Sequence, residues 1–132
     1  MKKLKAGLKE GTQKSLSVKV TPSMFAQFEG KVVHPVYSTA TMVYHMEWVS
    51  RQIILPFLEE EEEGMGAEVS VKHLSPAAEG TELVLEATVI SLNRNSILTE
   101  VTVKAGERLV GTGEVKQAVL PKSKINRIIG QD

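Results

Sequence analysis

A glutamate in the middle of an apolar helical segment is the first residue that could carry chemistry. Glu47 lies between Met46 and Trp48, in a stretch whose apolar residues recur every three or four positions. A carboxylate partly withdrawn from water is more basic and more nucleophilic than one on the surface. The alternative interpretation is structural, because Arg51 lies four residues later and could pair with Glu47 in the orientation that helices favour. The sequence leaves both interpretations open.

A histidine at the end of a predicted strand is the second candidate. Alternation over residues 65–73 places the odd positions on one face, which we expect to face the core. The residues of that face are Met65, Ala67, Val69, Val71 and His73. An imidazole there can exchange a proton near neutral pH. It could equally be a structural histidine that only forms a hydrogen bond.

A threonine at the start of the predicted helix is the third candidate. Thr39 or Ser38 could cap the helix N-terminus, which is a common structural role for both residue types. A hydroxyl at the positive end of a helix could also contact a substrate carbonyl or a catalytic carboxylate. Neither role is excluded by the sequence.

The composition removes several other kinds of site. The chain has no cysteine, and its one aspartate is the last residue, Asp132. Thiolate nucleophiles, disulfides, Ser-His-Asp triads and DxDxDG calcium loops are therefore ruled out. The three histidines do not form an H-E-x-x-H motif, so we expect neither a metal nor a cofactor. Carboxylate chemistry must come from glutamate.

The elements that would position these residues follow from periodicity and turn signals. Alternation of polar and apolar residues predicts a first strand, and we expect residues 22–37 to be irregular. Apolar residues spaced three and four positions apart predict a long helix that is apolar most of the way round. We expect the five glutamates at 59–63 to form a solvated loop. The basic tail 121–132 is expected to be a short helix or a disordered end. The predicted elements are strand 15–21, helix 39–58, and strands 65–74, 81–93, 96–104 and 107–120.

One curved antiparallel sheet wrapped around the long buried helix is the economical way to bury both. That arrangement is the hotdog fold, an α+β architecture, and we expect one such domain over residues 1–132. Sixteen basic and sixteen acidic residues balance, so no net charge attracts nucleic acid. No apolar run is long enough to span a membrane, and the N-terminus lacks a signal-peptide pattern, so we expect a cytoplasmic protein.

Three motifs together resemble one branch of the hotdog thioesterases. Thr39 is followed eight residues later by Glu47 within Met-Glu-Trp, then by Gly66 and by His73 in the next strand. This order and spacing are similar to those of the fluoroacetyl-CoA thioesterase branch. The family's aromatic lid sequence, Phe-Ala-x-Phe, has its counterpart in residues 25–28, about five residues further upstream than in the family. The resemblance therefore implies thioester hydrolysis rather than fluoroacetyl selectivity.

The resemblance also implies roles for the candidate residues. Glu47 would be nucleophile or general base, His73 would donate and accept protons, and Thr39 would support a carboxylate or an oxyanion. The implied substrate is a short-chain acyl-CoA, with coenzyme A entering only as part of that substrate. The expected substrate-binding residues are Gly66, Phe28, Val33, Arg94 and Arg108.

Two further expectations concern partners and alternatives. The resemblance implies a homodimer whose sheets join through the strand 65–73, with one site per protomer at the interface. Cations that could contact the CoA phosphates also include Lys72, Lys122, Lys124 and Arg127. The competing function is a non-catalytic acyl-CoA binding or sensing module. A hydratase is disfavoured, because it usually needs an Asp-His pair and the chain has no internal aspartate.

Overall fold

A computed structural model describes residues 7–130 of the chain. Within that range the backbone forms strands, two helices and two short 3-10 turns, Pro22–Met24 and Leu55–Phe57. The strands are β1 (Gln13–Lys19), β2 (Phe25–Phe28), β3 (Lys31–Tyr37), β4 (Glu62–His73), β5 (Glu82–Leu92), β6 (Ser96–Ala105) and β7 (Arg108–Pro121), and the helices are α1 (Thr39–Ile54) and α2 (Lys122–Ile129).

Five of the strands form one antiparallel sheet around α1. Their order is β1-β5-β6-β7-β4, so β1 and β4 are its edges. The helix contacts all five of these strands. Its buried side chains join those of the sheet in a single core, and the predicted hotdog fold is confirmed.

The helix begins and ends close to where the sequence predicts. Ser38 is the N-cap, and its side chain accepts a hydrogen bond of 2.9 Å from the Thr41 backbone N–H. The regular helix ends at Ile54 and continues only as the 3-10 turn that contains Pro56. Proline lacks a backbone N–H and clashes with the preceding turn of a helix. The predicted end at residue 58 was therefore about one turn too late.

Two glycines of β7 let the helix approach the sheet closely. A Cβ at Gly111 would lie 2.6 Å from the sulfur of Met42, and one at Gly113 would lie 3.0 Å from that of Met46. Both methionines are fully buried. Their flexible, polarisable side chains fill the space above the glycines, a role for which methionine is well suited.

The segment 22–37 is more regular than predicted. It contains the hairpin β2–β3, which turns at Glu29 and Gly30 with φ values of 53° and 80°. Positive φ at both central residues is typical of type I′ turns, which usually carry Asn-Gly or Asp-Gly. Glu-Gly is a weaker signal, and the register shifts within the hairpin blur its alternation. The prediction of an irregular segment was therefore wrong.

The glutamate run 59–63 is likewise not a solvated loop throughout. β4 begins at Glu62, three residues earlier than predicted, and Glu62 is only 5% exposed. Its carboxylate accepts a hydrogen bond of 2.8 Å from the Glu59 backbone N–H. Glu63 forms an ion pair with Arg51 at 2.6 Å. Because of these contacts, the end of the glutamate run 59–63 is part of the sheet.

A β-bulge at Ala67 interrupts the predicted alternation of β4. Gly66 pairs with Gln117 and Glu68 pairs with Lys116, so Ala67 has no partner in the ladder. A bulge reverses the side on which the following residues face. Gly64 and Gly66 therefore face α1 before it, whereas Val69, Val71 and His73 are the partly buried residues after it. Met65 is 40% exposed, so the single core-facing side predicted for 65–73 holds only from residue 69 onward.

The basic tail forms α2 as far as Ile129, which agrees with the helical alternative, while the last two residues lie outside the described range. Neither helix within residues 7–130 has the length and apolar character needed to cross a membrane.

The close approach of Met46 to Gly113 predicts how a larger residue at position 113 changes the free energy of unfolding. Gly113→Ala places a methyl group against the Ser70 carbonyl oxygen and the Met46 sulfur. Overpacking of this kind costs about 1–3 kcal/mol, which urea denaturation can measure. Glu114→Ala, at the exposed neighbouring position, should change the free energy of unfolding by less than about 0.5 kcal/mol. Equal losses in the two variants would contradict the close-approach explanation.

Candidate active site

Thr39 and His73 meet where the start of α1 lies beside the end of β4. The distance from Thr39 Oγ1 to His73 Nδ1 is 2.9 Å. Because Ser38 takes the N-cap role, the exposed Thr39 hydroxyl does not cap the helix and is free for this contact. The structure therefore brings together two of the three predicted catalytic residues.

The environment of His73 favours a neutral imidazole. Burial lowers the pKa of His73, and a backbone hydrogen bond with Ser75 opposes that effect in part. Within residues 7–130 its Nε2 is buried and has no hydrogen-bond partner. Its Nδ1, in contrast, lies at hydrogen-bond distance from the Thr39 hydroxyl. A hydroxyl that contacts an uncharged imidazole can donate to it or accept from it.

Glu47 lies against Gly66 on β4. A Cβ at Gly66 would be 3.0 Å from Glu47 Cδ and closer still to Oε2, so only glycine leaves room for this carboxylate. The side chain is half-buried and borders an open depression of about 220 Å³. The depression is lined by Tyr44, Glu47, Trp48 and Arg51.

The predicted helical ion pair between Glu47 and Arg51 does not form. Arg51 instead binds the Glu63 carboxylate at 2.6 Å and donates to the Gly64 carbonyl oxygen at 3.2 Å. The hydrogen bond from Arg51 lowers the pKa of Glu63, while burial opposes this. With Arg51 engaged elsewhere, the Glu47 carboxylate has neither an ion pair nor a hydrogen bond to any residue from 7 to 130. An unpaired, half-buried carboxylate is free to act on a ligand.

The two halves of the candidate site lie apart within one chain. Thr39 and Glu47 are separated by eight residues of α1, a rise of about 12 Å. Gly66 and His73 are separated by seven residues of β4, which is about 23 Å. One thioester group cannot contact both the Thr39–His73 pair and Glu47 of the same chain.

The predicted substrate-binding residues do not cluster either. Phe28 and Val33 are on the β2–β3 hairpin and are 69% and 54% exposed. Arg94 lies in the β5–β6 turn, at the opposite end of the sheet from Arg108, which is the first residue of β7. Arg108 donates to the Pro76 carbonyl oxygen at 2.7 Å and to the Ser75 hydroxyl at 2.8 Å. Both of these acceptors are close in sequence to His73.

The further cations named for CoA are all exposed. Lys72 is in β4, and the tail residues Lys122, Lys124 and Arg127 are in α2. Lys122 lies near Glu63 and contributes to its lowered pKa. The α2 cations are thus at the Glu62 end of β4, whereas Lys72 is next to His73 at the other end.

Sequence reasoning missed a buried aromatic pair behind His73. Tyr37 is fully buried, and its hydroxyl lies 2.7 Å from Nδ1 of His45, which is 8% exposed. Tyr37 is on β3 and His45 is on α1, so no helical or strand spacing connects them. Only the fold brings this pair together. In the part of the chain that is described, no three His, Cys, Asp or Glu residues form a group able to hold a metal.

Comparison with known proteins identifies the family. Residues 20–123 match the family described as fluoroacetyl-CoA-specific thioesterase. No curated protein sequence matches the chain. A hypothetical protein of Thermus thermophilus, described as a thioesterase superfamily member, is 38% identical over 96% of this chain and 93% of that one, with a TM-score of 0.90.

Two more distant structures share the fold. A point mutant of the fluoroacetyl-CoA-specific thioesterase FlK is 24% identical, with a TM-score of 0.85 over 96% of this chain and 98% of that one. A hot-dog-like protein from Thermanaerovibrio acidaminovorans is 21% identical, with a TM-score of 0.86 over 92% and 90% of the two chains. The chain therefore belongs to the fluoroacetyl-CoA-specific thioesterase family, whose members are thioester hydrolases of the hotdog fold.

Proposed function

We propose that this protein hydrolyses a short-chain acyl-CoA to the free acid and CoA, with Glu47 as nucleophile or general base. The observation that carries the proposal is the unpaired carboxylate of Glu47, seated on Gly66 at the border of an open depression. A structural carboxylate in a helix would be expected to use the arginine one turn away, and this one does not. A mutant of FlK has been solved with fluoroacetate and CoA, which supports a CoA thioester as the substrate class.

The chemistry requires attack at the thioester carbon and a proton for the departing sulfur. Either Glu47 deprotonates a water that adds to the carbon, or the carboxylate adds to it and water then hydrolyses the anhydride. In both routes the C–S bond breaks and the CoA sulfur takes up a proton. The neutral His73 accepts and returns protons at Nδ1, where it contacts Thr39. The exposed Thr39 hydroxyl would donate to an oxyanion or a carboxylate.

A second copy of the chain would complete the site. β4 is an edge strand of twelve residues whose outer side has no partner strand within residues 7–130. Such an edge is a ready template for pairing with another chain. Tyr44, Trp48 and Met65 are exposed on or beside this edge at 65%, 40% and 40%. We propose a homodimer in which two β4 strands pair antiparallel.

The register of that pairing follows from the faces of β4. Residues opposite each other in an antiparallel pair point to the same side of the sheet, and Val69, Val71 and His73 face inward. Pairing centred on Ser70 would set His73 opposite the bulge at Gly66 and Ala67 of the partner subunit. The Thr39–His73 pair of one protomer would then lie beside Glu47 of the partner subunit. The separation of about 12 Å along α1 would thereby be bridged.

The remaining assignments belong to the same proposal. Gly66, Phe28 and Val33 would contact the acyl part of the substrate. Arg108, which binds Ser75 and Pro76 near His73, would contact the CoA phosphates. Arg94 could serve only from the other end of the sheet. No additional cofactor is proposed, and the location remains the cytoplasm predicted from the sequence.

The first test replaces the carboxylate. Glu47→Gln keeps the shape of the side chain but removes its basicity, so kcat should fall at least about 10²-fold, while CoA binding and the unfolding midpoint stay near wild type. Glu86→Gln, an exposed residue of β5, is the matched control. Turnover should be followed by thiol release over a panel of acyl-CoAs. A folded Glu47→Gln protein with near wild-type turnover would reject the role of Glu47, and wild-type protein that binds acyl-CoA without turnover would favour the sensing module.

The second test follows pH. Because burial lowers the pKa of His73, the neutral form should persist below the ordinary histidine value of about 6.5. Activity that needs neutral His73 should thus be retained at pH 6.5 and lost only as the pH falls through the lowered pKa. The pH profile of kcat/KM measures this, and His73→Ala should remove most of the activity at every pH. An acidic limb centred above pH 7 would contradict the assignment.

The third test locates the dimer axis. The protein has no cysteine, so Ser70→Cys introduces a single thiol at the proposed two-fold axis. Opposed strand residues lie within the range of Cα distances that a disulfide spans. Under mild oxidation we expect a covalent dimer on non-reducing gels, whereas Glu86→Cys on β5 should stay monomeric in the same assay. Light scattering that shows a wild-type monomer at micromolar concentration would defeat the dimer.

A further inference from the structure

Tyr37 occupies a rigid position directly before the helix. Its backbone N–H donates to the Ala77 carbonyl oxygen at 2.8 Å, and the following Ser38 N–H donates to the Met24 carbonyl oxygen at 2.8 Å. Val36 forms a bridge with Ala78. The backbone is therefore held from both sides, and the side chain is fully buried. The orientation of the phenol ring then depends on what its hydroxyl contacts.

The hydroxyl forms a buried hydrogen bond with His45. Burial raises the pKa of Tyr37 and lowers the pKa of His45, so both groups are neutral near pH 7. The hydroxyl oxygen lies 2.7 Å from Nδ1 of His45, and the tautomer of His45 sets which of the two groups donates. The two rings are stacked at 5.8 Å with an interplanar angle of 9°. Loss of either partner would leave a buried polar group unpaired.

The Tyr37 ring also contacts His73. The centroids are 6.3 Å apart and the planes meet at 73°, an edge-on contact. The His73 ring also contacts the Thr39 hydroxyl at Nδ1 and the Ser75 backbone. The Tyr37 ring is thus one of the groups that set the plane of this imidazole. The plane of Tyr37 therefore influences the plane of His73.

We propose that Tyr37 and His45 are a positioning pair whose buried hydrogen bond fixes the Tyr37 ring and, through its contact with His73, aims Nδ1 of His73 at Thr39. Neither residue is a catalytic residue, since neither contacts the candidate reacting atoms. The pair connects β3 with α1 and with the end of β4. The last two of these elements carry Thr39 and His73. This inference rests on the proposed thioester hydrolysis for its kinetic consequence, but its structural consequence can be measured without activity.

The kinetic test uses a double-mutant cycle. Tyr37→Phe keeps the ring and removes the hydroxyl, and His45→Leu removes the imidazole nitrogens. We expect each to lower kcat about 10-fold, a modest part of the usual acid–base contribution, with KM unchanged and with a lower urea midpoint. The double variant has no orphaned polar group, so its urea midpoint should recover while kcat stays low. His45→Asn retains an amide that can donate to or accept from the phenol, so its kcat should be much closer to wild type than that of His45→Leu. Recovery of both kcat and stability in the double variant would mean that the pair only fills the core.

A spectroscopic test separates this inference from the proposed function. The His73 ring signals in ¹H–¹³C NMR spectra can be assigned by their loss in His73→Ala. We expect them to move in Tyr37→Phe and His45→Leu, and to return toward wild-type positions in His45→Asn. Unchanged His73 signals in Tyr37→Phe would overturn the positioning role whatever the activity. Wild-type protein that releases no thiol from any acyl-CoA, yet shows these shifts, would defeat the proposed function and leave the positioning pair standing.

Discussion

The close approach of α1 to the sheet is the constraint on which the rest of the structure depends. Four glycines, at positions 64, 66, 111 and 113, leave no side chain beneath the helix, and a Cβ at any of them would collide with a residue of α1. The helix side chains that occupy this space belong to Met42, Met46, Glu47 and Ile54. Three are core residues. The fourth is a carboxylate that the same geometry places against the strand.

That constraint also explains why Glu47 is available for chemistry. Glycine at position 66 leaves room for the carboxylate, because it has no side chain. Arg51 forms an ion pair with Glu63, because β4 begins early enough to place Glu63 beside it. A buried or half-buried charge usually finds a partner, since desolvation is costly otherwise. Glu47 has no such partner among residues 7–130, and in the proposed dimer the ligand and the second chain would complete its surroundings.

The two ends of α1 carry different parts of the candidate machinery. At the N-terminal end, His73 is held between Tyr37 and the Thr39 hydroxyl, in surroundings that keep it neutral. Two turns later, Glu47 faces the open depression. Among residues 7–130, no strand pairs with the outer side of β4. The division of the candidate residues along one helix agrees with the proposed site assembled from two subunits.

The sequence by itself determined the first strand, the long helix, the four later strands and the candidate residues, because their signals are local, but it did not determine the β2–β3 hairpin. Periodicity indicated the helix from Thr39 and the later strands, and the order of Thr39, Glu47, Gly66 and His73 indicated the family. The tertiary structure alone decided the bulge at Ala67, the partner of Arg51 and the Tyr37–His45 pair. Each of these joins residues on different elements, and such contacts depend on how close the elements approach, which a single chain's spacing does not encode.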